Sequence, residues 1–371
     1  MNRAVIPFLA LLASGLAACD GGADDGAGGA EPPIVNFYNW SDYIAPATIP
    51  GFEAATGIKV NYDVFDSNDV LEGKLLAGAT GYDVVVPTGA FFAVQREAGL
   101  FQPLDKAKLA NYANLDPAIL ARVARLDPGN VYAVPYMYGT TGLGYDLNKI
   151  RARLPGAPLD SWDLIFKPEN AARFADCGIA ILDAPDEVQW ITMHYAGFDP
   201  ESGKKQEIEK AMSLIAAIRP YVRYFHSSSY IDDLANGEIC LALGWSGDIF
   251  QAKNDAAPGI DIRYAVPREG TVIWFDLMAI PIDAPHPDNA HKLLDYLLGA
   301  TVAATNTNHI WYPSPNRAAM AYVDEAIRSD PQIYPSPEVM ARLTTDIPDP
   351  PRIVRIRNRA WTNIKAGRGN N

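Results

Sequence analysis

The chain has 371 residues, 49% of them hydrophobic and 20% charged, and its 44 acidic side chains against 31 basic ones leave a formal charge of −13. That length accommodates two domains with full cores, and the composition excludes a disordered or collagenous chain. The acidic balance argues against DNA, RNA or anionic lipid as the main partner, because phosphate neutralisation needs clustered Lys and Arg.

Met1-Asn2-Arg3, the apolar run Ala4 to Ala13 and the small residues up to Ala18 read as a secretory signal peptide over 1–18. The ending Leu16-Ala17-Ala18-Cys19 is similar to the bacterial lipobox, in which the Cys is lipidated and becomes the mature N-terminus. Residues 19–33 then comprise that Cys and a Gly-, Ala- and Asp-rich linker that cannot bury apolar surface. The expectation is export to the periplasm and mooring to a membrane through Cys19. Of the remaining thiols, Cys177 and Cys240 lack Cys-x-x-Cys spacing. In an oxidising compartment such a pair points to a disulfide rather than a metal site, although two buried free thiols would also fit.

From Ile34 onward, β-type and helical runs alternate. Ile34–Tyr38, Ile58–Phe65 and Tyr82–Pro87 are rich in Val, Ile, Tyr and Phe and read as strands. Between them, Thr48–Thr56 stops at Gly57, and Val70–Ala77 has a cap-rich Ser67-Asn68-Asp69 before it and Gly78 after it. Strand–helix alternation implies parallel pairing through right-handed crossovers and an α/β sheet. Further strands are expected at Val131–Tyr136, Thr140–Tyr145, Gly178–Leu182, Ile239–Leu243, Ile260–Val266 and Val272–Ile280. Helices are expected around Glu207–Arg219 and Ala290–Leu298. After Asp349 the chain carries Arg352, Arg355, Arg357, Arg359, Lys365 and Arg368 and no acid, which predicts a surface helix with its charges in water.

The five His residues, 194, 226, 286, 291 and 309, form no ligand-spaced group, so neither metal nor cofactor is expected. No Walker motif or strand-linked Gly-x-Gly-x-x-Gly occurs. The nearest catalytic lookalike is Gly244-Trp245-Ser246-Gly247-Asp248, which has Asp where a nucleophile elbow needs Gly. A secreted hydrolase using Ser246 is the remaining enzymatic alternative.

The stronger pattern is aromatic residues beside acids at strand ends: Trp40, Asp42 and Tyr43; Trp245 and Asp248; Trp274, Phe275 and Asp276; Glu187; and Trp311-Tyr312. Carboxyl ends of strands form the ligand crevice of open α/β sheets. Aromatic faces attract ammonium groups and cover alkyl chains, while carboxylates neutralise the cation. The mixture suits a linear ligand with cationic ends and an apolar middle. Plainer roles are also open, with Trp40 and Trp245 as packing residues and Asp42 as a helix cap.

Asn39-Trp40-Ser41-Asp42-Tyr43-Ile44, Tyr62 to Asn68, Tyr224-Phe225-His226-Ser227-Ser228, Gly244-Trp245-x-Gly247-Asp248 and Arg359-Ala360-Trp361 closely resemble the bacterial putrescine/spermidine-binding proteins of polyamine ABC importers. The resemblance implies a periplasmic binding protein type II fold, with two α/β lobes of parallel-rich sheets joined by a hinge. It assigns 34–137 and 254–311 to the first lobe and 138–253 and 312–371 to the second, with the Cys177–Cys240 disulfide inside the latter. It implies aromatic walls from Trp40, Tyr43, Trp245, Trp274 and Tyr312, ammonium-binding Glu187, Asp248 and Asp276, and polar lining from Ser41, Asp42, Thr88 and Ser227. The implied partners are a polyamine and a membrane permease, with the chain a monomer. Thr88-Gly89-Ala90 replaces a Ser-Ala-Ser found in relatives, and Trp274 stands where some putrescine binders have Phe, which makes 274 a selectivity position. A binding protein of this fold for another cationic solute or an amino acid is the nearest rival, although amino acids call for an Arg in the cleft.

Overall fold

The computed structural model describes residues 31–368, so the expected signal peptide, Cys19 and most of the linker lie outside the described residues. The chain forms a mixed α/β fold in which ten strands are linked into one hydrogen-bonded system. The opening segments follow the sequence pattern. Strand β1 (Ile34–Trp40) pairs in parallel with β2 (Lys59–Phe65) and β3 (Val84–Val85). The helix Thr48–Thr56 ends where Gly57 turns left-handed at φ 72°. The helix Asn68–Ala77 starts where the Ser67 hydroxyl accepts from the Asp69 N–H.

The centre of the fold departs from the expectation. The two strands expected at Val131–Tyr136 and Thr140–Tyr145 are one buried 14-residue strand, β4 (Ala133–Asp146), with a register shift between Pro135 and Met137. Its middle stays extended because it feeds two ladders. Residues up to Thr140 pair antiparallel with β9 (Thr271–Ala279), and residues from Thr141 pair antiparallel with β7 (Leu241–Trp245). The second ladder continues in parallel from β7 through β5 (Ile179–Ile181) to β6 (Tyr224–Phe225). Two short strands pair with segments distant in the chain. Strand β8 (Ile262–Ala265) pairs with Leu143–Asp146 of β4, and β10 (Leu343–Thr345) pairs in parallel with Thr271–Ile273 of β9. The reason is burial: Ile262, Tyr264, Leu343 and Thr345 are all enclosed, and their backbone groups need ladder partners there.

Cys177 precedes β5 and Cys240 precedes the adjacent β7, and their sulfurs are bonded at 2.00 Å across a separation of 63 residues. Closing a loop of that size stabilises the fold by about 4 kcal/mol in the loop-entropy model. The variant with Cys177→Ser and Cys240→Ser is expected to lose that amount in urea unfolding; an unchanged midpoint would show that the reduced chain is already constrained.

The C-terminal helix Pro351–Lys365 forms where its charges predicted it, but not all of them face water. It buries Ile353, Ala360, Trp361 and Ile364 and also Arg357, while Lys365 pairs with Asp183 at 2.7 Å. It packs on the helices Pro185–Tyr195 and Lys205–Ile218. No helix among the described residues is long and apolar enough to cross a membrane.

Candidate functional site

The site forms where β4 passes from one ladder to the other. Gly139 of β4 stands opposite Trp274 and Met137 opposite Asp276 on one side, and Thr141 opposite Trp245 on the other. The alternation of β9 therefore sends Trp274 and Asp276 to the same face, since side chains two apart share a side. A Cβ on Gly139 would lie 2.4 Å from the Trp274 ring, so glycine is what lets that indole settle over the strand.

Three carboxylates converge here. Asp276 is buried and accepts from the Tyr43 hydroxyl at 2.8 Å and the Thr88 hydroxyl at 2.7 Å. Asp248, in the first turn of the helix Ser246–Asn254, accepts from the hydroxyls of Tyr230 and Tyr312, both at 2.6 Å. Glu187, in the first turn of the helix Pro185–Tyr195, accepts from the Trp245 indole N–H at 3.0 Å and from the Thr141 hydroxyl. Every one of these donors is neutral. Among the described residues, no ion pair involves Glu187, Asp248 or Asp276.

Burial without a cation raises the proton affinity of all three. Desolvation pushes Asp248 and Asp276 up to about 6 against the hydrogen bonds that favour their ionised forms. Glu187 is pushed well above the usual carboxylate range, first by burial and then by the charges of Asp186, Asp346 and Asp276, with the Trp245 hydrogen bond opposing. Desolvated carboxylates without a cation are unfavourable, so the arrangement is poised for an added positive charge. Among the described residues, no group of three His, Cys, Asp or Glu side chains is placed to hold a metal ion.

Aromatic rings connect these acids. Tyr43 meets Tyr312 edge-on with centroids 5.3 Å apart, Tyr312 meets Trp274 at 5.3 Å, and Trp274 meets Trp245 at 6.5 Å. The Trp274 indole N–H is buried without a partner in the described residues. Trp40 lies at the edge of the group, donating to the Val86 carbonyl at 2.9 Å and packing on Phe65. Ser41 and the exposed Asp42 line a depression of about 370 Å³ with Tyr43, Ile44, Tyr62 and Val64. Asp42 does not cap the helix Thr48–Thr56; it occupies a left-handed turn at φ 50° and adds to the negative field at Asp248. Ser227, in the turn after β6, takes no part in the hydrogen bonds of the cluster. Ser246 is buried, and its hydroxyl accepts from the Thr140 N–H at 3.3 Å; it has none of the His pairing that activates a serine nucleophile.

Three participants carried no sequence signal of their own. Tyr230 donates to Asp248 while accepting from the Trp245 N–H at 3.1 Å, Thr141 reaches Glu187, and Tyr136 donates to the Tyr43 carbonyl at 2.8 Å. Gly247 of the Gly-Trp-Ser-Gly-Asp motif has a steric role. A Cβ there would lie 2.3 to 2.4 Å from Tyr312 ring atoms, so only glycine lets that ring approach and donate to Asp248. Gly247→Ala is expected to leave the chain folded but weaken ligand binding at least tenfold, read by calorimetry beside a circular dichroism melt. Parent affinity in that variant would separate Tyr312 from the site.

The family model for bacterial extracellular solute-binding proteins matches residues 47–335. The chain is 49% identical over 344 residues to the putrescine-binding periplasmic protein PotF of Escherichia coli, covering 91% of this chain and 93% of that protein. It is 48% identical over 344 residues to the putrescine-binding periplasmic protein SpuD of Pseudomonas aeruginosa, covering 91% of this chain and 94% of the other. Among solved structures, the spermidine/putrescine ABC transporter substrate-binding protein PotD of Streptococcus pneumoniae superposes with a TM-score of 0.77 at 26% identity, over 91% of this chain and 99% of that one.

Proposed function

The chain belongs to the bacterial extracellular solute-binding protein family, and on that premise we propose that it captures a polyamine, putrescine first, and delivers it to the permease of an ABC importer. The observation that carries the reading is a trio of carboxylates, two buried and Asp248 half-buried, whose donors are all neutral. A diammonium ligand supplies the missing charge at both ends, and the Trp245, Trp274 and Tyr312 rings cover its methylene chain. The relatives are binding components of transport, not enzymes, and the chain likewise performs no chemistry on its ligand.

Glu187 and Asp248 stand on the helices that follow β5 and β7 of the second ladder, whereas Asp276 stands on β9 of the first and Tyr43 closely follows β1. A cation held by both sets adds contacts between the lobes that the empty protein lacks, and so shifts a hinge equilibrium toward the closed form that docks on the permease. An amino-acid ligand would need a cation for its carboxylate. Arg357, the one arginine buried among the described residues, is already paired with Asp349.

Calorimetry of the chain carrying Cys19→Ser against putrescine, cadaverine, spermidine, spermine, agmatine and lysine tests the reading. Heat with at least one polyamine and none with lysine is expected; lysine binding without polyamine binding would overturn it. The site lies in a periplasmic protein by kinship, and mooring through Cys19 is part of the proposal. Fractionation is expected to find the parent with membranes and Cys19→Ser in the soluble fraction; an unchanged distribution would remove the anchor.

A further inference from the structure

A second group of acids lies against the carboxylate trio. Asp186 is the neighbour of Glu187 in the first turn of the helix Pro185–Tyr195. Asp346 directly follows β10, whose parallel register sets Thr345 opposite Ile273 and so brings position 346 to the level of Trp274. Both acids raise Glu187, so their charges reach into the ligand site. Asp349 lies three residues further along the chain, and Asp69 lies in the first turn of the helix Asn68–Ala77.

One cation serves this group. Arg357 comes from the C-terminal helix, which packs on the helix Pro185–Tyr195. It is only 8% exposed, unusual for an arginine on a terminal amphipathic helix. Its Nη1 donates to Asp349 at 2.5 Å, while its Nε is buried with no partner in the described residues. Its charge lowers Asp346, Asp349 and Asp69 against the burial that raises them. The helix is pinned by the Trp361 N–H and Lys365 ammonium on Asp183, at 2.7 and 2.7 Å, so the guanidinium is held rather than free to swing away.

A linear triamine that seats two ammonium groups on the trio must send its third along the chain axis, out of the site and toward neighbouring acids. We propose that Arg357 is a specificity-determining residue: its guanidinium fills the place beside Asp349 and Asp346 that a third ammonium would take, and so biases the site toward diamines over triamines. The inference rests on the polyamine reading of the site. Arg357 touches no ligand on this account; it acts by neutralising the outer acids and occupying their space.

The test is the ratio of spermidine to putrescine affinity, measured by calorimetry on the full chain with Cys19→Ser. Replacing Arg357→Gln is expected to tighten spermidine at least tenfold while changing putrescine less than threefold. Arg357→Lys keeps the charge and is expected to keep the parent's ratio. Because removal of a buried arginine leaves Asp349 unpaired, the variant combining Arg357→Met with Asp349→Asn provides a charge-balanced version and is expected to shift the ratio in the same direction. An unchanged ratio in both neutral variants, or equal losses for both ligands, would overturn the role of Arg357. Absence of any polyamine binding by the parent would instead reject the underlying reading.

Discussion

Replacing Asp248 by Ala is expected to weaken putrescine binding by about 2–5 kcal/mol, the range for removing one partner of a desolvated charge pair. That is roughly a thirtyfold to several-thousandfold rise in Kd. The carboxylate is half-buried, held by the hydroxyls of Tyr230 and Tyr312 in the first turn of its helix, so its loss leaves the ligand ammonium without a charged partner there. The empty protein should tolerate the change. Two tyrosine hydroxyls lose an acceptor, but an uncompensated charge is removed at the same time. Calorimetry with a parallel urea titration checks both halves: a Kd within threefold of the parent would take Asp248 out of the site.

The second large effect is in pH. In the empty protein Asp248 and Asp276 are pushed up to about 6, above the unfolded reference of 3.8. The native state therefore binds more protons than the unfolded chain between those values. The stability each group contributes is fully present below about pH 3.8 and is lost as pH rises through about 6, by roughly 3 kcal/mol per group. A bound diamine reverses this, because it requires the ionised carboxylates. Putrescine affinity should fall about a hundredfold between pH 7.5 and pH 5, and binding near pH 6 should release protons. Calorimetry in buffers of different ionisation enthalpy reads both. Asp248→Asn or Asp276→Asn singly should each reduce the proton release, with Glu187 supplying part of what remains, and a flat affinity profile in the parent would contradict the carboxylate account.

Much of this was legible in the sequence, for physical reasons that differ by residue. The first three strands were visible because half-buried parallel strands concentrate Val, Ile and Tyr between turn residues. Strand β4 was read as two because Met137-Tyr138-Gly139 breaks the apolar alternation. Its continuity depends on partners in two ladders, which are distant in sequence. Short strands such as β10 have no local signature and exist only because β9 offers an edge. Asp276 was conspicuous as an acid inside an apolar strand, whereas Tyr230 was not, since a tyrosine among Ser and Ile reads as ordinary packing until its hydroxyl is seen on Asp248. The C-terminal charges read as solvated; that one arginine turns inward is a consequence of its helix packing against the helices Pro185–Tyr195 and Lys205–Ile218, where it pairs with Asp349.

A crystal structure of the chain with putrescine at pH 7.5 tests the central claim most directly. The account predicts both ammonium groups within hydrogen-bond distance of carboxylates drawn from Glu187, Asp248 and Asp276, with the methylene chain against Trp245, Trp274 and Tyr312. Putrescine bound elsewhere, or held there by groups other than these three acids, would contradict it.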